Sequence, residues 1–141
     1  MTTNLPDRFR GPLLAAGIFG VTGVALGALG AHALAAVLEE RGMMGAWETA
    51  ARYQLFHTTA LLGVAGWLRG YPATPGVAAV RMLWAARWWN VGILLFSGSL
   101  YGLALGGPHW LGPVTPLGGL AFMTGWLCVI GAALKKPELS S

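Results

Sequence analysis

Eight polar residues sit inside otherwise apolar runs of this chain: His32, Tyr53, Gln54, His57, Ser97, Ser99, Tyr101 and Thr115. Neutral imidazole ligates zinc, copper and iron well, which makes His32 and His57 the candidate ligands for a metal ion or a haem. The donor set is sparse, because no carboxylate or thiol accompanies the two histidines. Phenol, amide, hydroxyl and imidazole groups can also hydrogen-bond a quinone or a lipid headgroup. Equally, they can bond one another and hold helices together. No nucleophile–base set for catalysis is recognisable, so the residues argue for a non-enzyme and name no catalytic residue.

These side chains are carried by unusually apolar segments. Charged residues make up 10% of the chain and hydrophobic residues 55%, against about 25% charged in soluble domains. Residues 11–38 carry no formal charge, and such a run at about 1.5 Å per residue exceeds a hydrocarbon core about 30 Å thick. That run is too long for a cleaved signal peptide, so a retained first helix is expected. Charges and helix breakers mark four spans in one domain over 1–141: about 12–38, 53–68, 88–105 and 116–134. The expected fold is an all-α, integral membrane four-helix bundle with short loops, since lipid requires backbone hydrogen bonding to close within each span.

Local signals set the ends. Pro12 suits the first turn of helix one. Helix two is expected to begin near Met44, with Glu48 and Arg52 four apart in the favourable order. Residues 69–76, with Pro72 and Pro75, read as a loop. Helix three is expected from Val77, anchored at the interface by Trp84, Trp88 and Trp89. Residues 106–113 read as a loop, and Thr115-Pro116 as the cap and first turn of helix four.

Basic residues orient the spans. Seven (Arg8, Arg10, Arg69, Arg81, Arg87, Lys135 and Lys136) fall on the side of the termini and two (Arg41 and Arg52) on the other. This places both termini in the cytoplasm of a multi-pass inner-membrane protein. The net charge of +4 is thereby a topology determinant, not a nucleic-acid footprint. The single cysteine, Cys128, allows no intramolecular disulfide and no cysteine-based metal site.

Small residues indicate packing. Gly20, Gly23, Gly27 and Gly30 lie within about 80° on helix one, a stripe that lets a second helix approach closely. Gly118 and Gly125, with Ala121, Cys128 and Ala132, make a similar face on helix four. The stripes serve intrachain packing or self-association. His32 lies roughly opposite the glycine stripe, unless the helix unwinds after Gly30. On helix three Asn90, Leu94, Ser97 and Tyr101 share a face, and on helix two Tyr53 and His57 do. Helices of opposite direction are expected to bring these groups to one zone in the outer half. The expectation is one hydrogen-bonded cluster of Tyr53, His57, Ser97 and Tyr101, with Gln54 and Thr115 beside it.

Four motifs appear in order: Gly27-Ala28-Leu29-Gly30-Ala31-His32, Tyr53-Gln54-Leu55-Phe56-His57, Phe96-Ser97-Gly98-Ser99-Leu100-Tyr101 and Thr115-Pro116-Leu117-Gly118-Gly119. The chain thereby resembles, over nearly its whole length, the small membrane-protein family that includes bacterial YgdD-like proteins and animal transmembrane protein 256. The resemblance implies four transmembrane helices and brings no biochemical activity or cofactor with it. Two functional readings stand: a structural or accessory subunit of a membrane assembly, or a protein binding a quinone, lipid headgroup, haem or metal ion at an outer-leaflet site. The expected partners are the lipid bilayer and either further copies of the chain or a larger membrane complex, with no nucleic acid.

Overall fold

The computed structural model describes residues 7–70 and 76–134. Most of the loop expected over 69–76 and the basic pair Lys135 and Lys136 lie outside the described residues. The described chain is helical throughout, with no strand. After a single 3-10 turn, Asp7–Phe9, come α1 (Arg10–Ala31), the short α2 (Ala35–Glu40) and α3 (Met44–Arg69). A continuous rod follows, made of α4 (Val77–Gly92), a π-helical segment (Ile93–Ser97) and α5 (Gly98–Ala104), and then α6 (Leu111–Ala133).

Two boundaries differ from the sequence expectation. The helix expected over 12–38 stops at Ala31, and α2 runs separately to Glu40. The break lets Leu38 turn inward, fully buried with Trp47 and Ala104; a straight continuation would carry it away from the core, and burying a leucine is worth about 1.5–3 kcal/mol. The last helix starts at Leu111, not at Thr115-Pro116. Pro113 falls in its first turn, where a missing N–H leaves no intrahelical bond unmade, so this proline does not stop the helix.

Two glycines close helix ends at positive φ, where a Cβ is strained. Gly42 (φ 64°) follows α2, and Met43 N–H reaches back to Leu38 O at 2.8 Å. Gly106 (φ 87°) follows α5, and Gly107 N–H reaches Gly102 O at 2.8 Å. Both are the 6→1 closure that satisfies the last carbonyls of a helix.

Two antiparallel hairpins form the bundle. A Cβ built on Gly23 would meet Leu55 Cδ2 at 2.8 Å, one on Gly20 would meet Thr58 Cγ2 at 3.5 Å, and one on Gly30 would run into the Trp47 indole. These meetings set α1 along α3 in opposite directions. Gly92 against Phe122, Gly118 against Phe96 and Gly125 against Trp89 do the same for the rod and α6. Gly27, expected at a crossing, faces open space, with nothing within 4 Å of a Cβ built there. Its neighbours in the stripe meet α3, but Gly27 is rotated off the contact line.

The interior is layered. One apolar cluster gathers Leu61, Val64, Ala85, Trp89, Ile93 and Phe122, and the second holds Leu38, Trp47 and Ala104. Buried polar residues (Gln54, His57, Thr58, Ser97 and Ser99) complete the core, while large apolar side chains point outward from every long helix. Leu14 and Val21 of α1, Phe56 of α3, Leu94 of the rod and Leu127 of α6 are all more than 60% exposed. Such an inside-out distribution is costly in water and favourable in lipid. Two of the described helices, Arg10–Ala31 and Leu111–Ala133, are long and apolar enough to cross a membrane.

Candidate functional site

Gln54, 3% exposed, ties three helical segments together. Its Nε2 donates to Phe19 O at 2.9 Å and to Thr22 Oγ1 at 2.9 Å, both on α1. Its Oε1 accepts from the Tyr101 hydroxyl of α5 at 3.1 Å. Both amide hydrogens and one carbonyl lone pair are thus engaged. Tyr101 packs edge-on against Trp47 with ring centroids 4.7 Å apart, and the Trp47 indole donates to Leu26 O at 2.9 Å.

His57 lies one turn further along α3. Its Nδ1 is 2.8 Å from Tyr53 O; a carbonyl only accepts, so Nδ1 carries the proton. Nε2 then offers the lone pair, and the Trp126 indole N–H donates to it at 3.2 Å. The network therefore defines a neutral imidazole protonated on Nδ1. Phe122 stacks on the ring at a centroid distance of 3.7 Å and an interplanar angle of 9°. Trp89 stands 6.1 Å from the imidazole and 4.7 Å from Trp126. With both nitrogens and one face engaged, no lone pair of His57 is left for a ligand in this arrangement.

The serines diverge around the π segment, whose wider turn re-aims side chains. Ser97 donates to Ala50 O of α3 at 2.8 Å. Ser99 bonds Thr115 Oγ1 of α6 at 2.7 Å, and donates to Phe96 O at 3.0 Å. Asn90 lines a cleft with Arg8, Pro12 and Arg87 at the other end of the bundle.

The residues expected to form one cluster are therefore distributed over separate bonds: Gln54 with Tyr101, His57 with Trp126, Ser97 with a backbone carbonyl, and Ser99 with Thr115. Tyr53 gives its backbone carbonyl to His57, while its ring, 43% exposed, packs on Phe96 at 4.7 Å. His32 and His57 are not brought together. His32 is exposed at the break after α1. His57 adjoins Thr58, which meets Gly20, whereas His32 lies just beyond Gly30, which meets Trp47. Those ten residues, Gly20 to Gly30, amount to about 15 Å along the helix. Among the described residues no group of three or more His, Cys, Asp or Glu could hold a metal ion. The Glu48–Arg52 pairing expected along α3 is likewise not formed, although both side chains lie exposed on the helix.

Trp126, Phe122 and Thr22 are the partners that sequence reading missed, and Trp89, expected at the interface with Trp84 and Trp88, is instead buried in the core beside His57. Trp126 offered a signal: an indole deep in an apolar run, away from an interface, carries an N–H that needs an acceptor. Beside His57 a crevice of about 430 Å³ opens between α3 and α6, lined by Arg52, Tyr53, Phe56, His57 and Trp126.

An all-helical bundle with an apolar exterior and an internally bonded polar core is the architecture of a helical membrane protein. Residues 26–119 match the family model described as "Protein of unknown function (DUF423)", and the chain belongs to that family. A UPF0382 membrane protein of Staphylococcus epidermidis is 39% identical over 112 residues, covering 79% of this chain and 85% of its own. One from Haemophilus influenzae is 39% identical over 121 residues, covering 82% and 87%. The UPF0382 inner membrane protein YgdD of Escherichia coli K12 is 40% identical over 130 residues, covering 91% and 94%. No solved structure matches the chain.

Proposed function

We propose that this protein crosses the inner membrane four times with both termini in the cytoplasm, and that it acts as a structural or accessory subunit of a membrane assembly. The observation that carries the reading is the use of both His57 ring nitrogens within the bundle, one on Tyr53 O and the other on Trp126. A histidine kept for a haem, a metal or a quinone would hold one nitrogen open. Gln54, Ser97, Ser99 and Thr115 follow the same pattern, each bonded to an adjacent helix. Internal pairing of this kind is how polar groups are accommodated in lipid.

Two further features support the reading. Of the most apolar stretch of α1 only 17% is buried, which leaves a long flank for lipid, a second copy or a larger complex. The basic residues on the side of Arg8, Arg10, Arg69, Arg81 and Arg87 outnumber those on the side of Arg41 and Arg52, which favours cytoplasmic termini.

Purification in mild detergent, followed by an absorption spectrum, metal analysis and thermal unfolding of wild type and His57→Ala, tests the proposal. A subunit held together by His57 is colourless and metal-free, and the substitution lowers its unfolding temperature. A chromophore or stoichiometric metal, lost in His57→Ala without loss of stability, would overturn the structural reading in favour of the ligand-binding one.

A further inference from the structure

We propose that Glu48, Arg52 and Phe56 on α3 hold one phospholipid carrying a primary-amine headgroup of the phosphoethanolamine type. The inference rests on the reading that α3 spans the bilayer with its Met44 end at the membrane surface.

The three side chains stand at successive steps of four residues and all are exposed. They form one outward stripe that descends about 6 Å per step. The order of chemistry along it is carboxylate, guanidinium, aromatic ring. A phosphoethanolamine lipid entering from the surface presents the same order in complement: ammonium outermost, phosphate beneath it, acyl chains deepest. Glu48 thus receives N–H donors, Arg52 meets the phosphate oxygens with its planar fork, and Phe56 meets the chain.

The surrounding surface offers a place for each part. Arg52 stands where two crevices meet. The shallower, about 310 Å³, lies against α1 and is shared by Glu48, Gly27, Gly30 and Ala51, which suits a headgroup. Gly27 contributes room there, because nothing lies within 4 Å of a Cβ built on it. The deeper crevice, about 430 Å³, has Tyr53, Phe56 and Trp126 among its walls, which suits an acyl chain. Glu48 and Arg52 are one turn apart in the order that favours an ion pair, yet neither has a charged partner among the described residues. Two opposite charges left open at adjacent depths complement a zwitterion. A headgroup without an amine leaves the Glu48 carboxylate beside a phosphate, and a quaternary ammonium has no N–H to give it.

The full-length protein, reconstituted in vesicles with equal parts of phosphatidylethanolamine, phosphatidylglycerol and phosphatidylcholine, is washed at alkaline pH, extracted in mild detergent and weighed by native mass spectrometry. The proposal expects phosphatidylethanolamine to be retained about two- to fivefold over each other lipid, the range that a partly screened charge contact supplies. Glu48→Gln abolishes that preference while lipid is still retained. Arg52→Gln removes most retained lipid of every kind. Equal retention of the three lipids by wild type, or a preference that survives both substitutions, would overturn the proposal, and the wild-type measurement decides even where a variant fails to fold. Protein stripped from the vesicles by the alkaline wash contradicts the membrane-spanning reading itself, whereas inserted protein with unselective lipid contradicts only the lipid site.

Discussion

The indole N–H of Trp126 on α6 donates to Nε2 of His57 on α3 across 3.2 Å, and this bond determines what the histidine can do. Because Nδ1 is committed to Tyr53 O of its own helix at 2.8 Å, the ring is held to α3 at one nitrogen and tied to α6 at the other, with no lone pair free in this arrangement. The stacked Phe122 ring at 3.7 Å fixes the imidazole plane, so that both nitrogens meet their partners.

Gln54 is expected to matter more than any other polar side chain of the bundle. Gln54→Leu leaves Phe19 O, Thr22 Oγ1 and the Tyr101 hydroxyl without their partner. Stability should fall by about 1–3 kcal/mol, read as a lower unfolding midpoint in mixed micelles. Tyr101→Phe deletes one bond of the set, and a smaller loss is expected, near 0.6 kcal/mol.

The glycines are not equivalent. A Cβ on Gly118 would meet Phe96 Cα at 2.7 Å, and backbone cannot step aside as a flexible side chain can. Gly118→Ala is expected to destabilise by about 1–3 kcal/mol. Gly27→Ala adds its methyl in open space, so the outcome there is neutral or a gain of up to about 1 kcal/mol from the lower chain entropy of the unfolded state. Thermal unfolding of the two variants side by side separates them, and equal losses would contradict the packing described.

Topology gives a prediction independent of side-chain detail. A reporter active only in the cytoplasm should be active when fused after Ser141 and inactive when inserted within residues 106–113. Activity at both positions would mean that α6 does not cross.

Much of this architecture was legible in the residues. Met44 and Val77 as helix starts follow from charge and breaker patterns that depend only on neighbouring residues. The break after Ala31 was legible only as the alternative that the helix unwinds after Gly30, since residues 32–34 contain neither Gly nor Pro; the chain bends there to bury Leu38, a gain visible only once Trp47 and Ala104 are in place. Pro113 misled for a different reason, since a proline stops a helix or starts one depending on its position in the turn. The polar residues themselves could be picked out as misfits in apolar runs. Their partners could not, because Trp126 lies 69 residues from His57 and Tyr101 lies 47 from Gln54. The π segment, which sends Ser97 to α3 and Ser99 to α6, has no periodic signature in sequence.

If the buried polar groups serve to join helices, His57 and Trp126 must be energetically coupled, which a double-substitution cycle on His57→Leu and Trp126→Phe measures. Equilibrium unfolding of wild type, both single variants and the double variant in mixed micelles yields the coupling energy of the pair. A favourable coupling of about 0.6 kcal/mol is expected, within the range up to about 1.7 kcal/mol found for hydrogen bonds between membrane helices. Strictly additive losses, with no coupling between the two substitutions, would contradict it.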